Sequence, residues 1–199
     1  VRKDYVALYG EEAAEALIQQ EYWCSFEAAI LGAYYGKEIA TAEREGRIKS
    51  VDVDKDHKVH TVWDLGVDDA MAIWFFQCIA GQIRIVDYIE GHGYAISHYA
   101  DIIKKKAKDG DYERGTDYVP HDAKQREMTS SGHDGKAKQR LEVMVECGLK
   151  PRVIASHHVI DGISAARQIL PKCWFDEGRC EHGLEALRQY QTEWDDDLK

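Results

Sequence analysis

The period of the apolar residues changes at His60, and that change limits the architectures open to this chain more than any other feature. HTVWDLG (60–66), AMAIWFFQCIA (70–80) and QIRIVDYIE (82–90) are runs rich in the Val, Ile, Trp, Phe and Tyr that favour strands. Their joins are short, VDD and Gly81, so neighbouring strands must form antiparallel hairpins. GHG (91–93) stops the third run. Helical spacing then returns through Ile96, Tyr99, Ile102 and Ile103, with Lys104 to Lys106 in the closing turns. DYVP (117–120) is short, apolar and closed by Pro120, as a buried parallel strand would be. KAKQRLEVMVECG (136–148) predicts a helix stopped by Gly148, and PRVIA (151–155) a further strand. DGISAARQIL (161–170) predicts a helix broken by Pro171, and DEGRCEHGLEALRQYQTEW (176–194) a last helix.

The order from His60 is therefore three strands, a helix, a strand, a helix, a strand and two helices. Three antiparallel strands followed by two crossover strands make a mixed five-stranded sheet with helices on both faces. The ribonuclease-H-like fold is the best-known arrangement with that order. Upstream, EEAAEALIQQ (11–20) and SFEAAILGAYYGKEIATAEREG (25–46) read as helices, the second capped by Ser25 and stopped by Gly46. The polar stretch 47–58 reads as a join. This divides the chain into a helical lead-in over 1–57 and a sheet-bearing unit over 58–199.

Within that frame two aspartates stand out. Asp64 lies inside the first strand-like run, where a buried carboxylate is rare unless it is paired or holds a metal. Asp122 follows directly on the fourth strand, which pairs beside the first in this topology. The two are expected to converge at one edge of the sheet, where a hard divalent cation would neutralise them. Two such ions would activate water for phosphodiester hydrolysis. The plainer alternative makes Asp64 a turn residue before Gly66 and Asp122 a helix cap. Asp69 sits with Asp68 in the turn after the first strand, where turn chemistry accounts for it; it is also within chain reach of the same site as a metal ligand.

Net charge is −10, which alone argues against nucleic acid as a partner, but the basic residues are unevenly spread. Lys124, Arg126, Lys136, Lys138 and Arg140 cluster just after Asp122, a basic lip suited to phosphates or a solvated polar face. TSSGHDGK (129–136) lacks the P-loop spacing, so a nucleotide-binding loop is excluded. The five cysteines are scattered without a CxxC pair, which argues against a zinc ribbon or a secreted disulfide framework and favours a reducing cytoplasm. No apolar run is long enough for a membrane span, and the N-terminus has no apolar signal region.

QEYWCSFEAAILGAYYGKEI (20–39), WDLGVDDAMAIWFFQ (63–77), YVPHDA (118–123), GKAKQRLEVMVECGL (135–149) and ILPKCWFDEGRCEHGLEALRQYQTEWDDDLK (169–199) together resemble the nuclease domain of a tailed-bacteriophage terminase large subunit. The likeness covers nearly the whole chain. It implies endonucleolytic cutting of double-stranded concatemeric DNA, with Mg2+ or Mn2+, during genome packaging in the host cytoplasm. It implies WDLG and PHDA as the strands that supply metal-binding aspartates. It also implies an ATPase motor domain, a small terminase subunit and a portal as partners, although the isolated unit is expected to be a monomer. In such terminases the region matching Lys199 leads on to a final helix that supplies a third acid, and no matching stretch is present here. A non-catalytic DNA-binding or motor-assembly module of the same fold, docking through helix 25–46, is the alternative.

Overall fold

The computed structural model describes residues 33–66, 71–124, 126–131 and 137–191. The expected helix 11–20, the first part of helix 25–46, the turn bearing Asp68 and Asp69, and most of the 129–136 loop lie outside the described residues. The chain divides into two compact units, Val1–Thr41 with Leu184–Lys199, and Ala42–Gly183. In the first, Ala33 bridges Gln191, and Tyr34 donates its backbone N–H to the Tyr190 carbonyl at 2.7 Å. Tyr35 stacks on Tyr190 with ring centroids 5.6 Å apart. Helix α1 (Gly36–Arg44) follows directly on residues 33–35, which are drawn into this bridge and not into the helix.

The second unit is built on a mixed sheet. Its strands in chain order are β1 (Ile48–Lys49), β2 (Val59–Asp64), β3 (Met71–Ile79), β4 (Gln82–Gly91) and β5 (Arg114–Val119). A two-stranded ribbon follows, β6 (Arg126–Ser131) with β7 (Ala137–Gln139), and then β8 (Pro151–Val153) and β9 (Cys173–Asp176). The helices of this unit are α2 (Ile96–Asp109), α3 (Arg140–Glu146) and α4 (Val159–Ile169), and most of α5 (Glu181–Gln189) belongs to the first unit. The main sheet has seven strands in the order β1-β9-β4-β3-β2-β5-β8. Its centre is the expected one: β2, β3 and β4 pair antiparallel, and β5 and β8 add parallel beside β2. This is the ribonuclease-H-like arrangement, widened by two strands. β1 comes from the stretch read as a join, and β9 from the unassigned residues between Pro171 and the last helix, whose first residue, Asp176, it takes.

Turn chemistry sets several of these boundaries. Ala80 and Gly81 both have positive φ, the condition for a two-residue turn that matches strand twist, and they close the β3–β4 hairpin. Gly148 has φ 72°, which lets Leu149 N–H return to the Met144 carbonyl at 3.0 Å and end α3. β5 stops one residue before Pro120, as expected. α3 itself is shorter than the sequence pattern, since residues 137–139 are taken into the ribbon.

One sheet face carries the core. Val59, Trp63, Ile73, Phe75, Val86 and Val119 pack with Tyr99, Ala100 and Ile103 of α2 and Met144 of α3. At roughly 2 kcal/mol per fully buried large side chain, this cluster supplies the main favourable term in folding. Of the consecutive aromatics, Phe75 is fully buried while Trp74 and Phe76 are half-buried on the other face. Among the described residues no helix is long and apolar enough to cross a membrane.

The added strands are fixed by a buried carboxylate. Asp176 of β9 accepts from Val51 N–H at 3.0 Å, from Arg179 N–H at 2.8 Å and from the Arg179 guanidinium at 2.8 Å. Burial opposes its charge, but these donors outweigh burial and hold the carboxyl down at about 2. The unfolded chain has the ordinary value near 4. The stabilisation is thus complete above about pH 4 and is lost as pH falls through about 2, a loss of roughly 2 kcal/mol. Urea unfolding at pH 5 and pH 2.5 should show most of this difference in the native chain and not in Asp176→Asn. Equal pH dependence in the two proteins would refute it.

Candidate metal and catalytic site

β2 and β5 are adjacent and parallel, with Thr61 opposite Asp117 and Val62 opposite Tyr118. Asp64 is the last residue of β2. Asp122 lies in the 3-10 turn His121–Lys124 that begins two residues after β5. Both carboxylates therefore leave the same edge of the sheet, from neighbouring strands. Asp122 is half-buried, and its Oδ1 is fully buried with no hydrogen-bond partner among the described residues. A buried carboxylate oxygen left without a donor costs about 1–3 kcal/mol, so its persistence asks for a ligand.

Asp64 differs from its sequence-based description. It is exposed, not buried, because the strand alternates and it falls on the face opposite Trp63. Its cross-strand neighbour is Ala72 of β3, whose own neighbour on β4 is Glu90. Asp64 and Glu90 thus share a face with a small residue between them. The Tyr88 hydroxyl donates to Glu90 Oε2 at 2.7 Å. Its pKa is raised by burial first, then by Glu90, and also by the charge of Asp64. Glu90 and Tyr88 escaped the sequence reading. The alternation in QIRIVDYIE was enough to put both on one face, but only the β3–β4 register brings that face to Asp64.

The basic residues are distributed less simply than a single lip. Lys124 ends the 3-10 turn after Asp122, Arg126 opens β6 and Lys138 lies in β7. Lys136 and Asp69 lie outside the described residues. Arg140 is the correction: it is only 7% exposed and donates from Nη1 to the Leu65 carbonyl at 3.2 Å. A guanidinium so enclosed braces the chain next to Asp64 and is not a solvent-facing contact for DNA.

The donor set suits a hard divalent ion. Both candidates are carboxylates, and oxygen ligands select Mg2+, Mn2+ or Ca2+ over softer metals. Mg2+ is commonly held by one or two carboxylates, with water and substrate phosphate completing the shell. Among the described residues no group of three His, Cys, Asp or Glu side chains gathers at one point. Asp64 and Asp122 are the pair that neighbouring strands bring to this edge.

No protein-family profile matches the chain, and no curated protein matches it in sequence. Solved structures do match it. The large terminase of a thermophilic bacteriophage aligns with a TM-score of 0.55 at 15% identity, covering 75% of this chain and 35% of that one. The nuclease domain of the P22 large terminase aligns with a TM-score of 0.54 at 16% identity, over 75% of this chain and 77% of that domain. This chain has the fold of the large-terminase nuclease domains. A third such structure, the large terminase nuclease of the thermophilic phage G20c with bound magnesium, gives a TM-score of 0.52 at 13% identity, over 83% and 84% of the two chains. The terminase-nuclease fold accounts for most of this sequence, whereas the chain spans about a third of the first of these large terminases.

Proposed function

We propose that this chain is the nuclease part of a phage large terminase and cuts double-stranded concatemeric DNA by metal-dependent phosphodiester hydrolysis. The observation that carries the reading is the buried Oδ1 of Asp122, without a hydrogen-bond partner among the described residues and set beside the strand that ends in Asp64. Nuclease structures of the same fold have been solved with magnesium or cobalt bound. Asp64 and Asp122 are the residues that would hold Mg2+ or Mn2+, two ions in the full reading, with Asp69 a further ligand. Ions bound there would lower the pKa of a water and neutralise charge on the cleaved phosphate. The protein's own residues do the rest. Arg140 fixes the backbone at Leu65 and so the exit of β2. Lys124, Arg126, Lys136 and Lys138 meet the DNA backbone, so affinity falls steeply with salt and little base discrimination is expected. The ATPase motor, small subunit and portal are the partners this reading implies, in the host cytoplasm.

A stability trade-off tests the assignment of Asp122. Asp122→Asn removes a buried negative charge without changing shape, so the metal-free protein should be equally stable or more stable by about 0.5–1 kcal/mol. Mn2+ affinity, read by calorimetry, should fall at least tenfold. Unchanged Mn2+ affinity removes Asp122 from the site.

A further inference from the structure

At the opposite end of the sheet from Asp64, β1, β4 and β9 border a groove of about 320 Å3 lined by Lys49, Ser50, Asp52, Gln82, Arg84 and Trp174. Lys49 Nζ stands 4.7 Å from the centroid of the Trp174 ring, a cation–π contact that holds the ammonium at the groove. Arg84 is opposite Trp174 in the β4–β9 register, which brings a second cation to the same groove. Among the described residues no carboxylate is within salt-bridge distance of Lys49 or Arg84. Asp54, which feels the charge of Arg84, is held below the usual carboxylate range mainly by His57 and by the Asp56 N–H. Asp176 is already taken up by Arg179. Lys49, held by Trp174, together with Arg84 and the Ser50 hydroxyl borders one polar groove against the single carboxylate of Asp52, a set of groups that suits phosphate oxygens.

We propose that this groove binds a backbone phosphate of nucleic acid, with Lys49 and Arg84 as its cationic ligands and Trp174 as the residue that positions Lys49. β1 is the edge strand of the sheet, and both Lys49 and Gln82 are exposed, so a long strand can pass over the groove without entering a closed cavity. Two cations at an open edge hold one phosphate weakly, which suits one contact among the many that a nucleic-acid backbone makes. Gln82 and Glu90 are eight residues apart on β4, and Glu90 is level with Asp64. At about 3.3 Å per residue the groove lies roughly 26 Å along the strand direction from the catalytic end. Arg84 is opposite the buried Gln77, whereas Glu90 shares the other face with Asp64, so the groove and the cutting end also lie on different faces. The groove therefore holds a stretch of nucleic acid other than the one being cut. It does not need the cutting reaction to be correct, because it is defined by binding alone.

The experiment measures binding of a 20-base-pair duplex in EDTA by fluorescence anisotropy, between about 50 and 200 mM salt. Lys49→Ala/Arg84→Ala should bind about tenfold more weakly, and the slope of log K against log salt should flatten by about 0.9, the value for one lost phosphate contact. Lys49→Glu alone, at an exposed position, gives a second readout should the double variant lose its fold. An unchanged slope in a folded variant overturns the proposal. So does calorimetric binding of inorganic phosphate that is lost in the double variant while duplex affinity stays the same, which would assign the groove to a free phosphate. Plasmid nicking by the native chain is scored separately. Nicking with no groove effect sinks the groove alone, and a groove effect without nicking sinks the cutting reaction alone.

Discussion

Asp64→Ala should abolish cutting while leaving the fold intact. Supercoiled plasmid incubated with Mn2+ should be nicked by the native chain at least a thousandfold faster than by the variant. The magnitude follows from what the carboxylate does: removing a protein ligand forfeits several kcal/mol of transition-state charge stabilisation, and about 4 kcal/mol is a factor of a thousand in rate. Stability should barely move. Asp64 is exposed at the end of β2 with the small Ala72 across the strand pair, and surface substitutions of this kind stay within about 0.5 kcal/mol. The combination of lost rate and unchanged melting is what distinguishes a catalytic group from a structural one. Nicking that survives Asp64→Ala would discard the mechanism. Absence of nicking in the native chain, and in a chain extended beyond Lys199, would favour the DNA-binding or motor-assembly module instead.

The largest stability effect is expected at a different aspartate. Asp117 is 5% exposed within the core face of β5 and accepts from Thr61 Oγ1 at 2.6 Å and from Lys150 N–H at 2.6 Å. Thr61 in turn accepts from the Trp63 indole N–H at 2.8 Å. The chain of bonds ties β2 to β5 and β5 to the approach of β8, below the edge where Asp64 and Asp122 emerge. Asp117→Ala leaves the Lys150 N–H and the Thr61 hydroxyl without an acceptor, at a cost of about 3 kcal/mol. For a chain of this size that lowers the melting temperature by roughly 10 °C. Asp117→Asn should cost about half as much, because one acceptor oxygen remains and the Thr61 hydroxyl can turn to accept from the new amide. A loss under about 1 kcal/mol in Asp117→Ala, measured by urea unfolding, would show that the network contributes little.

Most of the sheet's centre is written in local pattern. β2, β3 and β4 declare themselves by β-branched and aromatic runs, and the short joins leave them no choice but to pair with each other. The stops at Gly148, Pro120 and Pro171 need only backbone sterics, and the structure places boundaries at each. Asp122 just past its strand is legible for the same reason, whereas Asp64, read as lying inside its run, is the exposed last residue of β2.

What tertiary structure decided is everything that depends on partners distant in sequence. β1 is two residues long, too short for any period, and exists because Ile48 meets Phe175 far along the chain. Cys173–Asp176 carries no stronger strand signal than the helix beside it, and pairing with β4 makes it a strand. Arg140 looks identical to a surface arginine until the Leu65 carbonyl receives it. Asp117 reads as an ordinary residue beside Tyr118, yet it is buried, while Asp64 is exposed. Local sequence sets backbone preference and the spacing of apolar faces, because those act over a few residues. The burial of a charge, and the partner that makes burial tolerable, are set by which strands come to lie side by side.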